Sequence, residues 1–222
     1  MFQQGAATQA VQVVRPGATT QLGQFCVSPV ILYLHGFRSA PQSVKARQLK
    51  AFLAQHGLAH SFVCPALSFE PEQAMRDVEA TYGTCKPDQV TLIGSSLGGH
   101  YATYLAEKYG WRAILVNPAV GAHRTLQPYI GEQTNLYTGE VFTFTLQHLE
   151  FLSRIFPQRI TQPARYWLMV ETGDELLDYR CAVDYYAGAK QTIITGGDHS
   201  FQAWEKFLPE VMPFSRLSSK LT

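Results

Sequence analysis

The chain has little charge of either sign, no long apolar run, and only four cysteines in 222 residues. Lys and Arg number 18 against 17 Asp and Glu, a formal net charge of +1, and neither sign gathers into a run. A basic face for nucleic acid is therefore not expected, and the scattered cations read as a solvated surface. No apolar stretch approaches the roughly 20 residues that cross a bilayer. The stretch Met1 to Gly23 lacks the basic start and apolar middle of a secretory signal. Cys26, Cys64, Cys85 and Cys181 form neither a CxxC pair nor a metal-ligand spacing. Reduced, partly buried thiols in a cytoplasmic protein are expected, with no disulfide framework and no metal site.

What is present is a globular composition, 46% hydrophobic and 16% charged, long enough for one α/β domain. Residues 1–29, rich in Gln, Ala, Thr and Gly, read as a flexible extension in which Val11 to Val14 could add a short edge strand. From residue 30 to 222 the chain reads as one domain in which short apolar runs alternate with amphipathic stretches. The runs Val30–Leu34, His60–Cys64, Gln89–Ile93, Ala113–Asn117, Arg165–Glu171 and Gln191–Thr195 read as strands. Helices are expected over Ser43–His56, Glu70–Tyr82, Leu97–Tyr109, Tyr179–Ala187 and Ser200–Leu208. Strands alternating with helices imply a mostly parallel sheet covered on both faces. Residues from about 121 to 162 break the rhythm with aromatic, Thr and Gln residues and read as an inserted cap.

The third strand runs into Gly94-Ser-Ser-Leu-Gly-Gly99, a G-x-S-x-G centred on Ser96, and a helix follows. Chance produces that pattern in about 1 in 12 chains of this length, so the strand–turn–helix context carries the argument. Ser96 must sit on a tight turn to project its hydroxyl above the sheet, and side chains at Gly94 and Gly98 would collide across it. The helix beginning at Leu97 aims N–H groups and a positive dipole end at the reacting oxygen, with the Leu97 N–H as one oxyanion donor.

A serine hydroxyl needs a base, and in this context the order is serine, acid, histidine. Of seven histidines, His123, His148 and His199 lie beyond the nucleophile helix. His199 follows the last strand in Gly196-Gly-Asp-His-Ser-Phe201, where a base is needed; His123 and His148 fall in the cap, a poor platform for one. His56 and His60 read as surface positions. The acid should follow the preceding strand, in Val170-Glu-Thr-Gly-Asp-Glu175. Asp174 is the choice, to hold the imidazole tautomer. Glu175 reads as opening the next helix, Asp178 as capping it, and Asp198 is too near His199 to face it. The loop His35-Gly-Phe-Arg38 should supply the second oxyanion N–H, assigned to Phe37 with Arg38 as alternative; Gly36 belongs to that loop and His35 braces it.

These stretches, with Tyr33 to Ala46, Val116-Asn-Pro-Ala-Val120, Tyr137-Thr-Gly139 and Thr172 to Tyr179, resemble the YqiA/YcfP family of small bacterial α/β-hydrolase esterases. The resemblance spans about residues 30–208; residues 1–29 have no counterpart in it. His100 stands where an aromatic is expected, and Asp198 where Asn is expected. The resemblance implies an α/β-hydrolase fold, carboxylesterase activity toward short acyl esters and possible action on acyl-CoA thioesters. It also implies the triad Ser96, Asp174 and His199. The expectation is a cofactor-independent serine carboxylesterase acting on a small-molecule ester. The alternatives are a thioesterase for acyl-CoA or a carrier protein, and a non-catalytic binding module on the same fold. Nothing in the sequence specifies an oligomeric state.

Overall fold

Six runs of apolar and β-branched residues assemble the centre of the protein. The structure, a computed structural model, describes residues 29–217. All but the last residue of the extension expected over 1–29, including Val11 to Val14, lies outside the described residues. The strands in chain order are β1 (Val30–Leu34), β2 (Phe62–Val63), β3 (Val90–Ser95), β4 (Arg112–Val116), β5 (Gly131–Thr134), β6 (Val141–Phe144), β7 (Tyr166–Glu171) and β8 (Lys190–Ile194). Six of them form one sheet in the order β2-β1-β3-β4-β7-β8, and every neighbouring pair in it is parallel.

The helices are α1 (Val44–Gln55), α2 (Pro71–Tyr82), α3 (Leu97–Tyr109), α4 (Ala122–Thr125), α5 (Leu146–Ile155), α6 (Tyr179–Tyr185) and α7 (Trp204–Phe214). The period-2 alternation of each strand divides the core. Ile31, Tyr33, Ile93, Ile114, Val116, Trp167 and Met169 pack with Leu49 and Leu53 of α1 and with Trp204, Leu208 and Val211 of α7. Leu32, Leu34, Leu92, Leu115, Leu168 and Val170 point to the opposite face, toward α2, α3 and α6. A parallel sheet covered on both faces needs apolar residues at both phases of the alternation, which is why its inner strands β1, β3, β4 and β7 are largely apolar, while the edge strand β8 carries exposed Lys190 and Ile193.

Three local expectations are corrected. The second strand shrinks to Phe62–Val63, because Ala59–Ser61 forms a 3₁₀ turn. The last helix begins at Trp204, since Phe201 holds a left-handed φ of 56° that a helix cannot continue through. It then runs past Pro209 and Pro213 to Phe214. Each proline costs a helical hydrogen bond, but Trp204, Leu208, Val211 and Met212 are all buried on one face, and that burial keeps the helix whole. Cys64 and Cys181 are free, but Cys85 is disulfide-bonded, so the cysteines are not all reduced.

Between β4 and β7 the chain forms α4, the antiparallel hairpin β5–β6 and α5. Thr145 and His148 cap α5 reciprocally, side chain to backbone. His100 of α3 ties this insertion to the sheet. Its Nε2–H donates to the Leu152 carbonyl at 3.0 Å, its Nδ1 accepts the Ala122 N–H at 3.4 Å, and its ring stacks on Phe156. Burial pushes its pKa down to about 4. Among the described residues no helix is long and apolar enough to cross a membrane.

Candidate active site

Strand β3 ends at Ser95, and α3 starts at Leu97. Ser96 turns the chain between them with φ 56° and ψ −121°, a strained conformation for a residue with a side chain. The neighbouring glycines make the turn possible. A Cβ on Gly94 would lie 2.2 Å from the Gly98 carbonyl oxygen, and one on Gly98 would lie 1.9 Å from that of Leu34. Both contacts are far inside van der Waals distance, so any larger residue would push α3 off the sheet.

Three segments from the same edge of the sheet converge on this turn. His199, in the loop after β8, brings Nε2 to 3.0 Å from the Ser96 hydroxyl. Asp174, after β7, accepts from His199 Nδ1 at 2.8 Å through Oδ2. A carboxylate can only accept, so the proton sits on Nδ1 and leaves Nε2 free to accept from Ser96. The Asp174 side chain is only 3% exposed. It is further oriented by the N–H groups of Leu176 and Leu177, which donate to Oδ1. A hydroxyl, a neutral imidazole and a buried carboxylate in this order can move a proton off serine and stabilise the resulting imidazolium.

The rival acids stand elsewhere. Glu175 lies outside α6, not at its start, and accepts the backbone N–H of His199 at 3.0 Å. Asp178 caps α6 through the Arg180 N–H. Asp198 turns away, bonding to Ser200 and Gln202, and these bonds hold its pKa below the usual carboxylate range. His56 and His60 are exposed, and His148 is engaged in the α5 cap.

The loop after β1 closes the other side of Ser96. A Cβ on Gly36 would lie 3.2 Å from the Ser96 Cβ, so this backbone abuts the serine. His35 is buried, and its Nε2 accepts the Leu67 N–H at 3.2 Å. That bond puts the ring proton on Nδ1, which donates to the Gly36 carbonyl, also at 3.2 Å. Burial holds the His35 pKa below its ordinary value, so the ring stays neutral. Because the peptide is planar and trans, fixing the Gly36 oxygen also fixes the direction of the Phe37 N–H. Among the described residues, the N–H groups of Phe37 and Leu97 donate to no protein acceptor.

Beside this loop lies a cavity of about 50 Å³, lined by Phe37, Phe69, Leu97, Tyr101, Asn135 and Phe142 among others. A larger groove, about 480 Å³, runs between α2 and α5 and includes none of the residues around Ser96. No group of three or more His, Cys, Asp or Glu side chains is arranged to hold a metal among the described residues.

Two residues that hold the His199 loop carry no functional assignment from the sequence. Glu171, 1% exposed at the end of β7, accepts three backbone N–H groups. Those of Asp198 and Gln202 reach Oε2, and that of Ala203 reaches Oε1. Asn117, just past β4 with φ 41°, donates from Nδ2 to the carbonyls of Asp198 and His199 and accepts the Glu171 N–H. A charged residue closing an otherwise apolar strand was the available signal for Glu171. For Asn117 the signals were its place at a strand end and its presence in the stretch Val116 to Val120. Lys45 of α1 donates to the Ser200 carbonyl, and burial lowers its pKa to about 8 against the opposing pull of Asp198, Glu171 and Asp174.

The sheet order, the strained serine between β3 and α3, and the histidine after β8 together define an α/β-hydrolase fold. Solved structures agree on this. A protein from Agrobacterium vitis S4 assigned as a hydrolase superposes with a TM-score of 0.67 at 18% identity, over 85% of this chain and 88% of that one. Alpha/beta hydrolase domain-containing protein 10 from mouse gives 0.58 at 19% identity, covering 83% and 88%. Est1E from Butyrivibrio proteoclasticus gives 0.58 at 15% identity, covering 84% and 86%. The model of the uncharacterised protein family UPF0227 matches residues 30–216, and the chain belongs to that family.

Proposed function

We propose that this protein is a serine carboxylesterase whose nucleophile is Ser96, with His199 as base and Asp174 as its orienting carboxylate. The observation that carries the reading is the unbroken relay from Ser96 Oγ through the His199 ring to Asp174, at 3.0 and 2.8 Å. A binding module has no use for a strained serine joined to such a relay.

His199 Nε2 takes the Ser96 proton as Oγ attacks the ester carbonyl. The carbonyl oxygen, now an anion, accepts the N–H groups of Leu97 and Phe37. The tetrahedral intermediate collapses, and the leaving alkoxide takes the proton from His199. Water then attacks the acyl-enzyme with His199 again as base, and the acid departs as Ser96 regains its proton. Every step is carried by the chain's own residues. The cavity beside the oxyanion loop supports a short acyl group. Its lining of Phe37, Phe69, Tyr101 and Phe142 suits an apolar chain.

The test is turnover of p-nitrophenyl butyrate by the Ser96→Ala variant, with labelling by a fluorophosphonate probe. Turnover falls by several orders of magnitude and labelling disappears, on the scale of triad deletions. Near-wild-type turnover in that variant would sink the proposal. Butyryl-CoA assayed alongside the ester separates esterase from thioesterase action.

A further inference from the structure

The insertion between β4 and β7 grips the loop that carries Phe37. Three hydrogen bonds join the turn of the β5–β6 hairpin to the segment just after Phe37. Asn135 Nδ2 donates to the Ser39 carbonyl at 2.9 Å, the Leu136 N–H donates to the Arg38 carbonyl at 2.9 Å, and Arg38 Nε donates to the Thr134 carbonyl at 3.0 Å. Arg38 itself holds a left-handed φ of 57°, a conformation that costs energy unless its surroundings impose it. The Phe37 ring is packed edge-on against Phe144, Tyr129 and Phe142 at centroid distances of 5.0, 5.7 and 5.9 Å, and all three belong to the insertion.

Asn135 is the hub of this contact. Its Oδ1 accepts the N–H groups of Tyr137 and Thr138, which closes the hairpin turn, while its Nδ2 reaches across to Ser39. One amide thus shapes the turn with its oxygen and clamps the loop with its nitrogen. The peptide on the near side of Phe37 is held by His35 through the Gly36 carbonyl. The peptides on the far side are held only by the hairpin among the hydrogen bonds above.

We propose that Asn135 is a positioning residue for the reaction. By clamping Ser39 to the hairpin, it anchors the far side of the loop, so that the Phe37 N–H, aimed by His35 through the Gly36 carbonyl, stays on the anion formed at Ser96. The hairpin then serves as the brace of the oxyanion site as well as a wall of the cavity. This inference rests on the esterase reading above.

The variant Asn135→Asp separates the two halves of the amide. An aspartate keeps the oxygen that accepts from Tyr137 and Thr138, and loses the donor to Ser39. The expected result is a fall in kcat of about 10-fold, below the 10²–10³ of a deleted oxyanion donor because the Phe37 N–H is displaced and not removed. KM for p-nitrophenyl acetate changes less than kcat, as the group acts on the transition state more than on the bound ester. Affinity for a trifluoromethyl ketone, whose hemiketal oxygen uses the same donors, falls in parallel with kcat. Turnover is normalised to the fraction of sites labelled by fluorophosphonate at completion. Arg38→Met, which removes the donor to Thr134 and leaves Asn135 intact, lowers the same two quantities. Wild-type kcat and ketone affinity in Asn135→Asp, with Ser96→Ala inactive, overturn the positioning role of Asn135 and leave the esterase reading standing. An active Ser96→Ala overturns both.

Discussion

The carboxylate of Glu171 holds the backbone of Asp198, the residue before His199: Oε2 accepts the Asp198 N–H at 2.9 Å. The same carboxylate takes the N–H groups of Gln202 and Ala203, so the loop bearing the candidate base wraps around one buried acid. Replacing Glu171 by Gln turns one oxygen into a donor facing other donors. The expected cost is about 1–3 kcal/mol of stability for the unpaired group. A displaced His199 lowers kcat by about 10- to 100-fold. Urea unfolding and ester turnover measure the two, and a variant matching wild type in both would show that the loop holds its shape without this carboxylate.

Asp174 and Glu175 both bond to His199, one to its ring and one to its backbone, and turnover should tell them apart. Asp174→Asn leaves the geometry but permits the wrong imidazole tautomer, and kcat should fall about 10⁴-fold. Glu175→Gln keeps an oxygen for the His199 N–H and should change kcat by no more than about 3-fold. The reverse order of effects would name Glu175 as the acid.

The small cavity predicts a steep chain-length profile. Turnover of p-nitrophenyl esters should peak at acetate to butyrate and collapse by octanoate. Phe69, 40% exposed and stacked on Phe142 at 5.0 Å, stands at its edge. Phe69→Ala should move the optimum toward longer chains while leaving acetate turnover within about 2-fold, because Phe69 does not contact the Phe37 ring among the ring pairs above. An unchanged profile would place the acyl group elsewhere.

His100 predicts an acid-side loss of stability. Its pKa is about 4 in the fold against 6.5 for the free side chain. Above pH 6.5 both states are neutral and the hydrogen bonds to Leu152 and Ala122 contribute in full. As pH falls from 6.5 to 4, the unfolded chain binds a proton that the folded protein does not, and wild type loses up to about 3 kcal/mol. His100→Phe has no such proton to bind. Its deficit relative to wild type should therefore be largest above pH 7 and should shrink toward pH 4. Urea midpoints for the two proteins across that range measure it, and a constant deficit would mean that His100 titrates normally.

Sequence alone determined the features set by short-range physics. Apolar runs of five or six residues reveal buried parallel strands because both faces of such a sheet are covered. The elbow is legible because Gly94 is constrained inside the turn, against the Gly98 carbonyl, while the demand for glycine at Gly98 comes from Leu34 on the neighbouring strand. Asp174 and His199 follow from their places after successive strands, since the parallel sheet brings those ends to one edge. Sequence reading missed the features whose partners are distant along the chain. Helix α7 passes Pro209 because its buried face outweighs local propensity. Glu171 and Asn117 hold the His199 loop across separations that leave no trace in spacing. Asn135 meets Ser39 across 96 residues. A polar side chain's partner depends on where distant backbone groups come to rest, and only the packed tertiary structure decides that.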